Sequence, residues 1–232
     1  MDLKTISKTG FTGNQLKAIA LVSMTLDHIG MMLFPSSVLL RILGRLALPI
    51  YAFMIAEGCR HTRDRKRYFL RIFSLAVLCQ AVYFFAMGSL YMSILVTFSL
   101  SIGLIGAIEN YQEKRSLSAQ LLAFGALLGT FLLCVALPEL WTGTDFAIDY
   151  GLVGVLLPVL VYFGKEKTKY LTAGLILLGF TQGGIQWFAL AAVPLLGMYN
   201  GRRGEGNVGK WFYLYYPLHL AALQGIAWLL GM

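Results

Sequence analysis

Long apolar stretches alternate with short polar connections along almost the whole chain. A bilayer core about 30 Å thick requires about 20 residues of α-helix, and most stretches approach that length. The nine predicted helical segments lie at about residues 15–34, 38–58, 68–88, 90–108, 117–137, 149–164, 168–182, 184–199 and 211–231. The seventh and eighth segments are short, and the turn Gln182-Gly183-Gly184 between them is compatible with a tight or a partly re-entrant hairpin. The pattern predicts an all-α, polytopic transmembrane helix bundle of about nine helices.

The composition of the 232-residue chain excludes an ordinary soluble domain. Hydrophobic residues make up 58% and charged residues only 13%, against about half and about a quarter in globular proteins. The mean hydropathy is +0.70. Because every polar connection is short, we expect one transmembrane domain over residues 1–232 that acts within the bilayer or at its edge.

The distribution of basic residues predicts the orientation of the chain. Every Lys and Arg except Arg41 and Arg45 lies in or beside alternate connections, beginning with Lys4 and Lys8. The intervening connections contain neither residue type and lie at 35–37, 88–89, 138–148 and 182–184. By the positive-inside rule the N-terminus is cytoplasmic and, after nine crossings, the C-terminus is outside. The net charge of +8 is then explained by multi-pass insertion in the plasma (inner) membrane, and no nucleic-acid partner is expected.

The sequence contains no motif for binding a metal, a phosphate or a dinucleotide. Cys59, Cys79 and Cys134 lack metal-ligand or redox spacing, so we interpret them as small core hydrophobes and expect no metal site. The first apolar stretch carries Asp27 and His28 without a small-residue cleavage site after it, so it is not expected to be a signal peptide.

A few ionisable residues interrupt the apolar segments, at a cost of about 2.5–3.5 kcal/mol each near a helix centre. They are Asp27 and His28 in the first segment, Arg41, Arg45 and Glu57 in the second, and His219 in the ninth. The first two segments are joined by a short turn, so they must be antiparallel neighbours with His28 and Arg45 about 9–10 Å below the same surface. We therefore expect Asp27, His28 and Arg45 to meet, with Asp27 and Arg45 as a neutral pair. His219 lies near the midplane just after Pro217, which should weaken the helix.

These residues also have purely structural interpretations. An intramembrane histidine can serve as a hydrogen-bonding core residue, and a buried Asp–Arg pair can hold two helices together. The basic residues from Arg60 to Arg67 are first a topology signal, and attraction of nucleotide phosphates is a second interpretation. The pattern indicates polar chemistry inside the membrane without specifying the reaction.

Several motifs resemble those of the TraX family. They are Asn14-Gln15-Leu16-Lys17, Asp27-His28-Ile29-Gly30, Gly44-Arg45-x-Ala47-x-Pro49-x-Tyr51-Ala52-Phe53 with Glu57-Gly58 and His61-Thr62-Arg63, Asp149-Tyr150-Gly151-x-x-Gly154-Val155-Leu156, Tyr199-Asn200-Gly201 and Tyr216-Pro217-x-His219-Leu220. The first block is the most specific, and the last also occurs in other membrane acyltransferases. The resemblance extends over nearly the whole chain, although residues 90–145 contribute little to it.

The resemblance implies an acetyl-CoA-dependent membrane acyltransferase. The family's named member acetylates the N-terminus of F-type pilin, and the family is similar to polytopic enzymes that take acetyl from cytosolic acetyl-CoA. The acceptor would be an amine or hydroxyl, on the pilin N-terminus or on another envelope protein or glycan.

The resemblance also implies roles for the polar residues. His28 would be the general base or acyl relay, and Asp27 would orient it or pair with Arg45. Arg45 would stabilise the oxyanion or bind the pantetheine arm, and His219 would be a second proton-transfer group. The phosphates of acetyl-CoA would be attracted by a cationic run, defined here as Arg60, Arg63, Arg65, Lys66 and Arg67.

Two other classes of function are compatible with the same residues. A small proton-coupled transporter would use the polar cluster as a proton or ion relay and would contain an inverted repeat. A non-enzymatic envelope or pilus assembly component would contain Asp27 and Arg45 only as a structural pair.

Overall fold

The computed structural model describes residues 10–205 and 209–231, with only the backbone given for residues 86–87 and 209–213. Within these ranges the chain forms helices, two isolated β-bridges and no β-strand. The α-helices are α1 (Gly13–Met32), α2 (Val38–Gly44), α3 (Ala47–His61), α4 (Arg65–Met87), α5 (Ile94–Lys114), α6 (Leu117–Phe131), α7 (Leu137–Leu140), α8 (Gly151–Phe163), α9 (Lys167–Gln182), α10 (Ala192–Gly197) and α11 (Gly209–Leu229). A π-helical turn (Leu132–Ala136) joins α6 to α7, and a 3-10 helix (Gly184–Ala191) precedes α10. Lys4 and Lys8, which the topology prediction uses, lie outside the described residues.

Each of the nine predicted segments is helical, which confirms the all-α prediction. Within the part of the chain that the structure describes, four helical stretches are long and apolar enough to cross a membrane: Val38–His61, Arg65–Phe85, Ile94–Lys114 and Leu117–Leu140. In the last of these, only 6% of the most apolar window is buried within the chain. Apolar surface of this extent is unusual in a soluble monomer and typical of a helix that faces lipid, so the fold is that of a helical membrane protein.

Two predicted helices contain a local break that a proline explains. The second segment is interrupted at Arg45 and Leu46, between α2 and α3. Pro49 has no N–H to bond the carbonyl of Arg45, and its ring crowds that carbonyl. Pro138 has the same effect on the carbonyl of Cys134, within the π-helical turn. The expected single second helix is therefore wrong in detail, and Arg45 lies at the break.

The predicted tight turn before the eighth segment is confirmed, but the segment is not a regular α-helix. Gly183 and Gly184 have φ angles of 65° and 51°, a conformation that glycine adopts without steric cost. The chain then continues as the 3-10 helix, which rises about 2 Å per residue compared with about 1.5 Å in an α-helix. The eighth segment therefore spans a greater distance than an α-helix with the same number of residues.

The chain divides into two compact units. The first comprises residues 1–54 and 171–232, where α1 packs against α2 and α11 and the 3-10 helix packs against α2. Its core includes the fully buried side chains of Leu16, Ile50 and Leu178. The prediction of one transmembrane domain stays a prediction.

The start of α1 is held by the loop that precedes α11. Phe11 N–H donates to the carbonyl of Met198 (2.9 Å), and Asn200 N–H donates to the carbonyl of Phe11 (3.0 Å). The side-chain Nδ2 of Asn200 donates to the carbonyl of Gly10 (2.8 Å). Further along, Asn14 N–H donates to the carbonyl of Arg203 (2.9 Å). The motifs at Asn14 and Asn200 thus lie at one end of the first unit.

The second unit comprises residues 55–170, where α5 packs against α4, α6 and α8. Its core includes the side chains of Ile105, Val155 and Leu157. Inside this core, a serine hydroxyl bonds a backbone carbonyl of another helix: Ser101 Oγ donates to the carbonyl of Val155 (2.7 Å).

The connections 88–93 and 141–150 of this unit are joined by hydrogen bonds to Asp145. The Ser89 hydroxyl donates to Asp145 Oδ2 (2.6 Å), and Leu90 N–H donates to Oδ1 (2.9 Å). These bonds stabilise the carboxylate and lower the pKa of Asp145 below its ordinary value.

Candidate functional site

Helices α1 and α2 approach closely where Gly44 faces Asp27. A Cβ atom on Gly44 would lie 2.3 Å from the Cβ of Asp27, so a larger residue requires the helices to move apart. The Ser23 hydroxyl bonds the carbonyls of Leu43 (2.6 Å) and Gly44 (3.0 Å), which have no partners inside a helix that ends there. This contact brings Asp27 to Arg45, the residue that follows α2.

A charged cluster forms around Asp27. Arg45 Nη2 donates to Asp27 Oδ1, which confirms the predicted pairing of these residues. Arg41 Nη1 lies 3.2 Å from Asp27 Oδ2, and Arg41 was not expected to take part. The prediction of a neutral pair is wrong, because two guanidiniums share one carboxylate and leave one positive charge in excess. Arg45 itself is only 8% exposed.

Arg45 is held in place by two further acceptors. Its Nε donates to the carbonyl of Arg41 (3.2 Å), and its Nη1 donates to Oε1 of Gln186 (3.2 Å). Gln186 lies in the first turn of the 3-10 helix and is buried. Because the guanidinium is fixed from three directions, it is preorganised as a donor and a positive charge.

His28, the neighbour of Asp27, meets His219 of α11. The Nδ1 of His28 lies 3.1 Å from Nε2 of His219, and the ring centroids are 5.0 Å apart. Nδ1 of His219 lies 2.8 Å from the carbonyl of Tyr215. The Tyr215 ring stacks on His219 with an interplanar angle of 9°, and its hydroxyl is 2.7 Å from that of Thr25.

This geometry assigns the hydrogens of the two neutral imidazoles. A carbonyl only accepts, so Nδ1 of His219 carries a hydrogen and its Nε2 carries the lone pair. Nδ1 of His28 must then be the donor in the contact between the rings. The second lone pair of His28 is consequently on Nε2, where it can accept a proton from another molecule.

Two arginines of the cationic run bind carboxylates of the second unit. Arg60 Nη1 and Lys167 Nζ each lie 2.7 Å from Oε1 of Glu57, a carboxylate that is only 5% exposed. Arg65 pairs with Glu109. Lys167 thus joins α9 to α3, Arg65 joins α4 to α5, and neither arginine is available as a simple surface cation.

The other three residues of the run are exposed. Arg67 Nε bonds Asp64 Oδ2 (2.9 Å) on the surface. Among the described residues, no ion-pair partner is found for Arg63 or Lys66. The structure therefore does not combine the five residues into one binding surface.

A groove of about 360 Å³ lies between α4 and α5 beside this run. Its charged lining residues are Arg65, Lys66, Glu109 and Glu113. Because the charges are balanced, the groove alone is a poor site for a polyphosphate.

Gln186 and Tyr215 were not predicted from the sequence as site residues, and Arg41 was predicted without a role. Arg41 was visible as a charge in an apolar segment four residues before Arg45, a spacing that puts both on one helix face. Gln186 was visible as an amide in an apolar segment next to a glycine turn. Nothing in the local sequence links either residue to Asp27, because the contact depends on how separate helices pack.

The fold and the site together define a class of protein. It is an all-helical membrane protein with a buried charged cluster and a histidine pair. The TraX protein family matches residues 12–227, a range that includes the charged cluster and both histidines. The chain belongs to the TraX family.

Two proteins are similar to this chain. One is "Probable fimbrial assembly protein FimC, serogroup H1" of Dichelobacter nodosus, 27% identical over 92% of this chain and 94% of that protein. The other is "Uncharacterized protein RP591" of Rickettsia prowazekii (strain Madrid E), 47% identical over 38 residues, which are 16% of this chain and 15% of that protein. No solved structure matches the chain.

Proposed function

We propose that this protein is a membrane-embedded acyltransferase that moves an acetyl group from cytosolic acetyl-CoA to an amine or hydroxyl acceptor. The observation that carries the proposal is the hydrogen bond between His28 and His219, which leaves a lone pair on Nε2 of His28. Acyl transfer requires a group that takes a proton near neutral pH, and neutral imidazole is suited to this. Membership of the TraX family supports the same reaction.

The step begins when the acceptor nitrogen or oxygen attacks the thioester carbonyl carbon and gives its proton to Nε2 of His28. A C–N or C–O bond forms, and the π electron pair moves onto the carbonyl oxygen. Collapse of this intermediate restores the C=O bond and breaks the C–S bond. The CoA thiolate leaves with the electron pair of the broken C–S bond and receives the proton from His28. The products are the acetylated acceptor and CoA.

The second histidine supports the first. When His28 becomes positively charged, its Nδ1–H bond to Nε2 of His219 becomes charge-assisted and stronger. The carbonyl of Tyr215 keeps His219 in the tautomer that accepts this bond. The excess positive charge on Arg41 and Arg45 stabilises the oxyanion of the intermediate.

Arg63 and Lys66 are the residues of the cationic run best placed to attract the phosphates of acetyl-CoA. Both are exposed cations: Arg63 lies on the connection between α3 and α4, and Lys66 lies in the first turn of α4. Arg60, Arg65 and Arg67 contribute positive potential to the same end of the second unit, although each also pairs with a carboxylate.

We infer a multi-pass protein of the inner membrane with nine crossings, the N-terminus inside and the C-terminus outside. Within the first unit, the basic loop 201–205 contacts residues 10–14, whereas the Arg45–Gln186 contact lies beside the non-basic turn 182–184. The 3-10 helix with α10 is about 25 Å long, enough to approach the thickness of a bilayer core. A reporter fused after Met232 tests this topology, and cytoplasmic activity of the reporter contradicts it.

The acceptor belongs to the cell envelope in this proposal. The similar Dichelobacter nodosus protein is named as a fimbrial assembly protein, which favours the N-terminus of a pilin-like subunit over a glycan. The same name favours one second candidate, a fimbrial assembly component without enzymatic activity.

Incubation of the purified protein with acetyl-labelled CoA thioester and envelope extract separates the two candidates. We expect release of free CoA and transfer of the label to an envelope component. Intact acetyl-CoA after long incubation with extract contradicts the acyltransferase and favours the assembly component.

A further inference from the structure

Gln186 is a buried amide of which only the oxygen, and not the nitrogen, has a hydrogen-bond partner among the residues described. The residue is 3% exposed, and its Oε1 accepts from Nη1 of Arg45 at 3.2 Å. Its Nε2 has no acceptor among the residues described. Buried amide nitrogens are normally paired, so this donor indicates a group that the chain itself does not supply.

The orientation of the amide follows from its partner. A guanidinium carries only donors, so the oxygen of Gln186 and not its nitrogen must face Arg45. Both N–H groups of Nε2 are consequently directed away from Arg45. They offer two hydrogens to an acceptor oxygen without competing with the existing bond.

The position of Gln186 is fixed by its backbone and by Arg45. Its N–H donates to the carbonyl of Gly183 (3.1 Å) at the start of the 3-10 helix. Arg45 is bound in turn to Asp27, the neighbour of His28. A donor held in this way needs little reorganisation when charge develops on a bound oxygen.

We propose that Nε2 of Gln186 binds the carbonyl oxygen of the transferred acetyl group and, with Arg45, stabilises the oxyanion. Gln186 is then a catalytic residue, and this assignment rests on the acyltransferase function proposed above. The bond strengthens as the π electron pair moves onto the oxygen and weakens again when the C–S bond breaks. No covalent bond to Gln186 forms at any stage.

The test compares Gln186→Met with Gln186→Glu in purified protein. Methionine removes both the acceptor for Arg45 and the N–H donors, whereas glutamate keeps the acceptor and removes only the donors. We expect both variants to lower kcat by about a hundredfold, the lower scale for loss of one oxyanion donor, with KM for acetyl-CoA changed less than about threefold. Gln182→Met, at the exposed last residue of α9 on the other side of the glycine turn, should leave both constants unchanged.

A spectroscopic measurement separates contact with the substrate from an indirect effect. Acetyl-CoA labelled with ¹³C at the thioester carbonyl is bound to His28→Ala protein, which should not turn it over, and its carbonyl stretch is recorded by difference infrared spectroscopy. A hydrogen bond lowers this frequency, so we expect it to rise when Gln186→Met or Gln186→Glu is added.

The failures are distinguishable. One result overturns this inference alone: the wild-type protein turns over acetyl-CoA, Gln186→Glu has the wild-type kcat, and neither Gln186 variant shifts the carbonyl band. Gln186 then serves only to position Arg45. Absence of any acetyl-CoA turnover by the wild-type protein overturns the acyltransferase function and this inference with it.

Discussion

Nε2 of His219 accepts a hydrogen bond of 3.1 Å from Nδ1 of His28, a residue 191 positions earlier in the chain. The carbonyl of Tyr215 makes this direction of donation necessary, because it requires a hydrogen on the other nitrogen of His219. The contact joins α1 to α11 and leaves one imidazole nitrogen of the pair able to take a proton.

Removal of the carboxylate of Asp27 should destabilise the first unit. In Asp27→Asn the two guanidiniums of Arg41 and Arg45 lose the carboxylate that they share, at a cost of about 3 kcal/mol, the lower end for breaking a buried pair because Asp27 is 16% exposed. Unfolding in detergent measures the loss. Adding Arg41→Gln restores the original net charge and should recover part of the stability; a double variant no more stable than Asp27→Asn contradicts the assignment of Arg41 to this cluster.

Gly44 should be far less tolerant of a methyl group than Gly125. Gly44→Ala places a Cβ within 2.3 Å of Asp27, and overpacking of this kind costs about 1–3 kcal/mol. Gly125 has open space around its Cβ position, so Gly125→Ala should be neutral or stabilise α6 by up to about 1 kcal/mol. Thermal unfolding midpoints measure both, and equal effects mean that α1 and α2 do not approach closely at Gly44.

The local features of this chain could be predicted from the sequence, whereas contacts between distant helices could not. The pairing of Asp27 with Arg45 follows from a short turn that forces two helices to be antiparallel. The break at Arg45 was also predictable in principle, since Pro49 removes the hydrogen bond to its carbonyl. The partner of His28 depends on which helix packs beside α1, and neither periodicity nor charge in the sequence specifies that choice.

The members of the cationic run should separate into two classes. Replacing the exposed Arg63 and Lys66 by Gln should weaken binding of acetyl-CoA at low salt and reduce its salt dependence, because screened phosphate attraction is removed. Arg65→Gln should instead lower the unfolding midpoint, since Glu109 loses its ion-pair partner and keeps the hydrogen bond from the Tyr162 hydroxyl. Calorimetric titration at two ionic strengths measures the first effect. Unchanged binding by the Arg63→Gln/Lys66→Gln protein means that these two residues act only in topology.

The hydrogen bonds that Asp145 accepts should weaken as the pH falls into the acidic range. Because the folded-state pKa of Asp145 is lowered, its stabilising effect is complete above the ordinary value of about 3.9 and is lost as the pH falls through the lowered pKa. Amide hydrogen exchange of Leu90 should therefore be faster in Asp145→Asn than in wild type at pH 7, and the difference should disappear in strong acid. A difference that persists unchanged in strong acid would be inconsistent with a charge-dependent bond.

The most direct test of the proposed chemistry is the acetyl-transfer rate of purified His28→Ala. Loss of the general base should lower the rate by at least about a hundredfold without loss of membrane insertion. His219→Ala should have a smaller effect, and the double variant should be no slower than His28→Ala because the pair acts as a unit. His61→Ala, with a side chain that is 70% exposed, should retain the wild-type rate. Full transfer activity in His28→Ala, with activity lost in Asp27→Asn or Arg45→Ala, would contradict the assignment of His28 as the proton acceptor.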